Sequence, residues 1–138
     1  MNRQQITDSL TRQKKALMLL ALLQEEEFSH LKAHDPQAVS KLELSIQELT
    51  RQIKAERIWM KEQVSAIDPV IASVRQLPPV GTAEEHAAFL NLVDQVEAKE
   101  QICRSLAEQN YEMALALFDQ SSGYLEFIQK EIQPKQET

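Results

Sequence analysis

Apolar residues recur every three or four positions along almost the whole chain, and that spacing admits little besides packed helices. In the middle of the sequence Val39, Leu42, Ile46, Leu49, Ile53, Met60, Val64, Ile67, Ile71 and Val74 step in this way, with one gap at Glu56-Arg57. Later, Phe89, Val93, Val96, Cys103, Leu106, Asn110, Met113, Leu117, Tyr124, Ile128 and Ile132 lie near one helical face. The start of the chain offers Ile6, Leu10, Leu17, Leu20, Phe28 and Leu31. Ala, Leu, Glu, Gln, Lys and Ile dominate, and no alternating β-branched run is present. Strands are therefore not expected.

The breaks between stripes are few. Asp35-Pro36 joins an N-cap residue to a proline at the first helical position, where its missing N–H costs nothing. Asp68-Pro69 repeats the pair, Pro78-Pro79 interrupts the chain, and Thr82-x-x-Glu85 is a capping box for the next helix. Four helical segments follow, at about 3–33, 36–67, 69–76 and 83–132, ahead of a polar tail at 133–138. The 69–76 piece is a short helix or a continuation of the second past a kink. At 1.5 Å per residue the first two main helices reach roughly 45 Å each and the last about 75 Å. Ser121-Ser122-Gly123 marks a bend or frayed end within the last. The two-residue link at His34-Asp35 makes a helical hairpin of about 3–76, and the 77–82 loop returns the chain. The expected fold is all-α: one domain over 1–138, an elongated antiparallel bundle of three main helices.

Charge and composition exclude several functions. Residues 1–69 hold ten basic and ten acidic side chains, whereas residues 70–138 hold five and eleven, which gives the chain its net charge of −6. That second half has no cluster of Lys and Arg for phosphates, so no nucleic-acid partner is expected. Gly81 and Gly123 are the two glycines, too few for a phosphate-cradling loop, and the lone Cys103 builds neither a disulfide framework nor a multi-thiolate site. The most apolar stretch, Ala16 to Leu23, has eight residues against the roughly 20 that span a bilayer. It runs into Glu25-Glu26-Glu27 rather than a cleavage site. A cytoplasmic chain without stable membrane insertion is expected.

Few residues invite chemistry. Glu27-x-x-His30 matches one di-iron ligand unit, but such a site needs two units and further carboxylates. His34 follows one turn later, at zinc-binding spacing without a third ligand; a solvated helix end explains both histidines better. Cys103 sits in the apolar stripe as a small hydrophobe, and His86 belongs to the surface of the last helix's first turn. No catalytic, cofactor-binding or metal-ligating residue is assigned, and the chain is not expected to be an enzyme. Asn110 is a polar residue within a stripe; it either pairs across a seam or touches water at the edge. Trp59 serves equally well as core or as a partner-facing anchor.

The layout resembles the FlgN-like flagellar export chaperones over about residues 10–130. The resemblance lies in Leu19-Leu20 and Leu22-Leu23 leading to Glu27-x-x-x-Leu31, then Asp35 and the second helix to Arg57. Leu106-Ala107-Glu108-Gln109-Asn110-Tyr111-Glu112-Met113 is similar to the family's Leu-x-x-x-Asn-x-x-Leu pattern, with Leu117 and Leu125 continuing it. Ile46 stands where the family often has lysine, and Gln133 to Thr138 lack the Tyr-Gly element many members carry.

The resemblance implies a cytoplasmic chaperone of the flagellar type III export apparatus. It would bind the C-terminal helical segment of hook–filament junction proteins and keep them monomeric and export-competent. It also implies docking to the export gate or ATPase complex. The expected partner-binding residues are Leu106, Asn110, Met113, Leu117 and Leu125. A different class of function is a homo-oligomeric coiled-coil scaffold with no exchanging client; a homodimer is open in either reading.

Overall fold

The computed structural model describes the backbone of residues 2–132 and the side chains of residues 3–119. It contains α1 (Asn2–Lys32), α2 (Pro36–Ile67) and α3 (Ala83–Ile132), with one 3-10 turn at Val74–Gln76 ahead of α3. No strand occurs among the described residues. The all-helical bundle is as the apolar spacing requires.

Local chemistry sets the helix ends. At the end of α1, His34 enters the left-handed region with φ 55°. Its N–H then bonds the Leu31 carbonyl and that of Asp35 bonds the His30 carbonyl, each at 3.1 Å. These bonds satisfy acceptors that a helix end leaves open. The Asp35 carboxylate next accepts the Ala38 N–H at 3.2 Å and starts α2 behind Pro36. At the start of α3, the Thr82 hydroxyl accepts the Glu85 N–H at 3.1 Å, as a capping box should.

One expectation needs correction. Residues 69–73 are not helical, and the helical piece shrinks to Val74–Gln76. The Asp68 carboxylate accepts the Val70 N–H at 3.0 Å instead of opening a helix, and Pro69 removes the donor that would have continued α2. Downstream, α3 stays helical through Ser121-Ser122-Gly123 to Ile132. A helical glycine costs about 1 kcal/mol against alanine, which does not end a helix of this length. The tail at 133–138 lies outside the described residues.

α1 is the middle helix. It runs antiparallel to α2 through the short link and packs along both α2 and α3. Relative to α3 it is parallel and in constant register. The Arg3 guanidinium lies 4.3 Å from the Phe89 ring centre, the Cys103 thiol reaches the Leu17 carbonyl, and Asn110 reaches the Gln24 carbonyl. Each pair is 86 residues apart in sequence. The core follows this geometry: Ile6, Leu10, Leu17 and Leu20 of α1 meet Ile53 and Val64 of α2 and Phe89, Val93, Val96 and Cys103 of α3. Full burial of one such aliphatic side chain contributes about 1.5–3 kcal/mol.

The gap in the α2 stripe has a structural cause. Glu56 accepts the Ser9 hydroxyl at 2.7 Å and pairs with Arg12, while Arg57 reaches Glu100 of α3 at 3.7 Å. The Arg12 guanidinium holds the Glu56 carboxyl below its usual range, against the opposing effect of partial burial. Between α2 and α3 the chain forms a strap. Leu77 is buried within it, and Arg75 ties it to α3 through Asp94 at 2.7 Å and Glu97 at 2.8 Å.

Candidate functional site

The distal half of α3 was the expected binding region, and its side chains divide into two sets. Leu106, Asn110, Met113 and Leu117 share one side by their three- and four-residue spacing. Asn110 is 4 % exposed, and its amide donates to the Gln24 carbonyl at 2.9 Å and to the Glu27 carboxylate at 2.8 Å. It therefore lies in the seam with α1, away from water. Leu106, Met113 and Leu117 are half-buried beside it. The side chain of Leu125 lies outside the described ones.

Tyr111, Leu115 and Phe118 form the second set. They are 65 %, 43 % and 66 % exposed and recur at i, i+4 and i+7. This row is turned away from the seam and has no partner within the described structure. The wide stripe in the sequence concealed it, because stepping from seam residue to seam residue passes over Tyr111 and Phe118. Their spacing is the signal that was available.

Towards the other end, a cleft of about 740 Å³ lies between α2 and α3. Leu10 and Gln13 of α1 form part of its lining, with Lys54, Arg57 and Lys61 on the α2 side, Glu97 and Glu100 on the α3 side, and strap residues such as Ile71 and Val74 at one end. Trp59 lines a different hollow of about 540 Å³ with Arg12, Ala16 and Glu56, and is itself half-buried.

The seam carries a buried polar layer whose energetics are unusual. Burial pushes the Glu27 carboxyl above its ordinary range; the bond from Asn110 opposes the shift, and Glu43 adds to it. Gln24 Oε1 and Asn110 Oδ1 are buried without a protein partner. Such a layer costs stability and specifies which residues meet.

Candidate reactive residues have structural roles here. Glu27 binds Asn110, His34 forms the turn after α1, and no group of three potential metal ligands occurs among the described residues. Cys103 is buried, its thiol donates to the Leu17 carbonyl at 3.2 Å, and burial pushes it further from ionisation. His86 is half-buried rather than on the surface, with its ring stacked 6.3 Å from that of Phe89.

Against this geometry, the family model described as FlgN protein matches residues 1–138, the whole chain. The chain belongs to the FlgN family. FlgN proteins are flagellar export chaperones rather than enzymes, and they bind flagellar proteins. No curated protein and no solved structure matches the chain. No helix of the described residues is long and apolar enough to cross a membrane.

Proposed function

We propose that this FlgN-family protein is a cytoplasmic chaperone that binds the C-terminal helical segment of hook–filament junction proteins before type III export. The observation that supports this reading best is the exposed row of Tyr111, Leu115 and Phe118 on a long helix. An amphipathic client helix carries an apolar row of the same spacing and self-associates when left bare. Laying it on α3 covers both rows, in the manner of helix-in-groove recognition. Each covered side chain contributes on the order of 1–2 kcal/mol, below the full-burial value because α3 already shields part of it.

Leu106, Asn110, Met113 and Leu117 serve this function by holding α3 against α1, so the row is presented on a fixed scaffold. Leu125, which the sequence resemblance adds to the contact, stands eight residues past Leu117 in sequence. The loaded chaperone then meets the export gate or ATPase complex.

Co-purification with C-terminal fragments of hook–filament junction proteins tests the reading. Tyr111→Glu with Phe118→Glu is expected to abolish capture while far-ultraviolet helicity is retained, because both positions face water. Met113→Glu with Leu117→Glu is expected to loosen the α1 seam and lower thermal stability. Absence of capture by the unaltered chain overturns the chaperone reading in favour of a homo-oligomeric scaffold. Undiminished capture by the Tyr111/Phe118 variant removes this row as the contact.

A further inference from the structure

The exposed row and the cleft belong to one surface. Val93, Glu97 and Glu100 line the cleft, and the same three- and four-residue stepping leads through Arg104 and Ala107 to Tyr111, Leu115 and Phe118. From Glu97 to Phe118 this side of α3 extends about 32 Å, the length of a helix of about 21 residues.

Its two ends differ in charge. At the cleft, the acidic Glu97 and Glu100 of α3 are paired with Arg75 and Arg57, so its uncompensated charge comes from the exposed Lys54 and Lys61 of α2. At the distal end, Glu108, Glu112 and Asp119 flank the apolar row, while Lys32 is turned onto the Phe28 ring at 5.4 Å. A helix carries partial positive charge at its N-terminal end and partial negative charge at its C-terminal end, where a chain terminus adds a carboxylate. This surface is complementary to one direction of such a helix.

We propose that the client helix lies antiparallel to α3, with its C-terminal end in the α2–α3 cleft beside Lys54 and Lys61 and its N-terminal half on Tyr111, Leu115 and Phe118. The inference rests on the chaperone reading and adds the direction and extent of docking. The cleft receives the last turns of the client, and the strap closes the end beyond them.

The experiment uses the full chain and a purified C-terminal fragment of a hook–filament junction protein. Lys54→Glu with Lys61→Glu is expected to weaken binding by about tenfold at low salt, with the difference shrinking as salt rises. Direction is read separately by attaching a nitroxide at Lys61→Cys or at Leu115→Cys, each combined with Cys103→Ala, and recording amide spectra of an isotope-labelled fragment. The label at position 61 is expected to broaden the fragment's C-terminal amides, and the label at 115 its N-terminal ones. The reversed pattern, or unchanged affinity of the lysine variant, overturns this inference and leaves the chaperone reading standing. A fragment that fails to bind the unaltered chain overturns both. Broadening of a second, isotope-labelled copy by the label at 61 in the absence of fragment makes the cleft a self-association surface, which also overturns the inference.

Discussion

Replacing Asn110 by alanine should destabilise the bundle by an amount that depends on pH in a specified direction. The substitution removes two bonds, one to the Gln24 carbonyl and one to the Glu27 carboxylate. A bond to a charged group contributes about 1.5–3 kcal/mol and a neutral one about 0.5–1.5, while deleting the unpartnered Asn110 Oδ1 returns about 1–3. The net loss at pH 7 is about 1 kcal/mol. For a domain of this size that corresponds to about 4 °C in the thermal midpoint. Glu27 sets the pH dependence. Burial raises its folded-state pKa above the unfolded value, so its ionised form weakens the folded state as pH rises through the raised value. Asn110 limits that penalty. Without it the Glu27 pKa rises further, so the loss is largest at pH 7 and smaller at pH 4, towards which Glu27 gains its proton and the charged bond becomes a neutral one. Urea titrations of the two proteins at both pH values measure the difference, in which other carboxylates cancel. A loss that is absent at pH 7, or that grows on acidification, would falsify the assignment of Asn110 and Glu27 to a coupled buried layer.

His34→Gly should raise stability by about 0.5–1 kcal/mol, because glycine adopts the left-handed conformation at this turn without the cost of a Cβ; a lower thermal midpoint would show that the histidine side chain contributes more than its backbone strain. Glu56→Gln should destabilise at neutral pH and progressively less in acid. The Glu56 pKa is lowered in the folded state, so its contribution is present above the unfolded value and disappears as pH falls through the lowered one. Paired pH melts check the sign. Prolonged chelation of protein purified without a histidine tag should leave its thermal midpoint unchanged, and elemental analysis should find no stoichiometric zinc or iron; metal that depends on His30 or His34 would reverse the rejection of that site.

The elements of this fold were legible in sequence because their signals are local. Asp35-Pro36 and Thr82-x-x-Glu85 act within one turn, and the stripe containing Cys103 and Asn110 marks the buried side of α3. What was not legible depends on a neighbour. Glu56 reads as a flaw in an apolar stripe until Ser9 and Arg12 stand beside it. Asp68-Pro69 has the same composition as Asp35-Pro36, yet one carboxylate caps a helix and the other turns a strap that buries Leu77. The expected partner-binding residues illustrate the limit best. Periodicity identifies a face with a purpose, but it does not distinguish a seam with α1 from a surface for another protein. The register of 86 residues between α1 and α3 is a property of the assembled bundle.

That register also determines how the molecule yields to force. Because α1 and α3 point the same way, tension between the C-terminal end of α3 and the N-terminal end of α1 acts as shear. It loads the Phe89, Cys103 and Asn110 contacts together, so none is released before its neighbours. Tension applied between the free ends of the α1–α2 hairpin instead peels one layer at a time, beginning far from the His34 turn. A pull along the axis of α3 therefore meets the bundle in its strong direction, and its three helices keep their places.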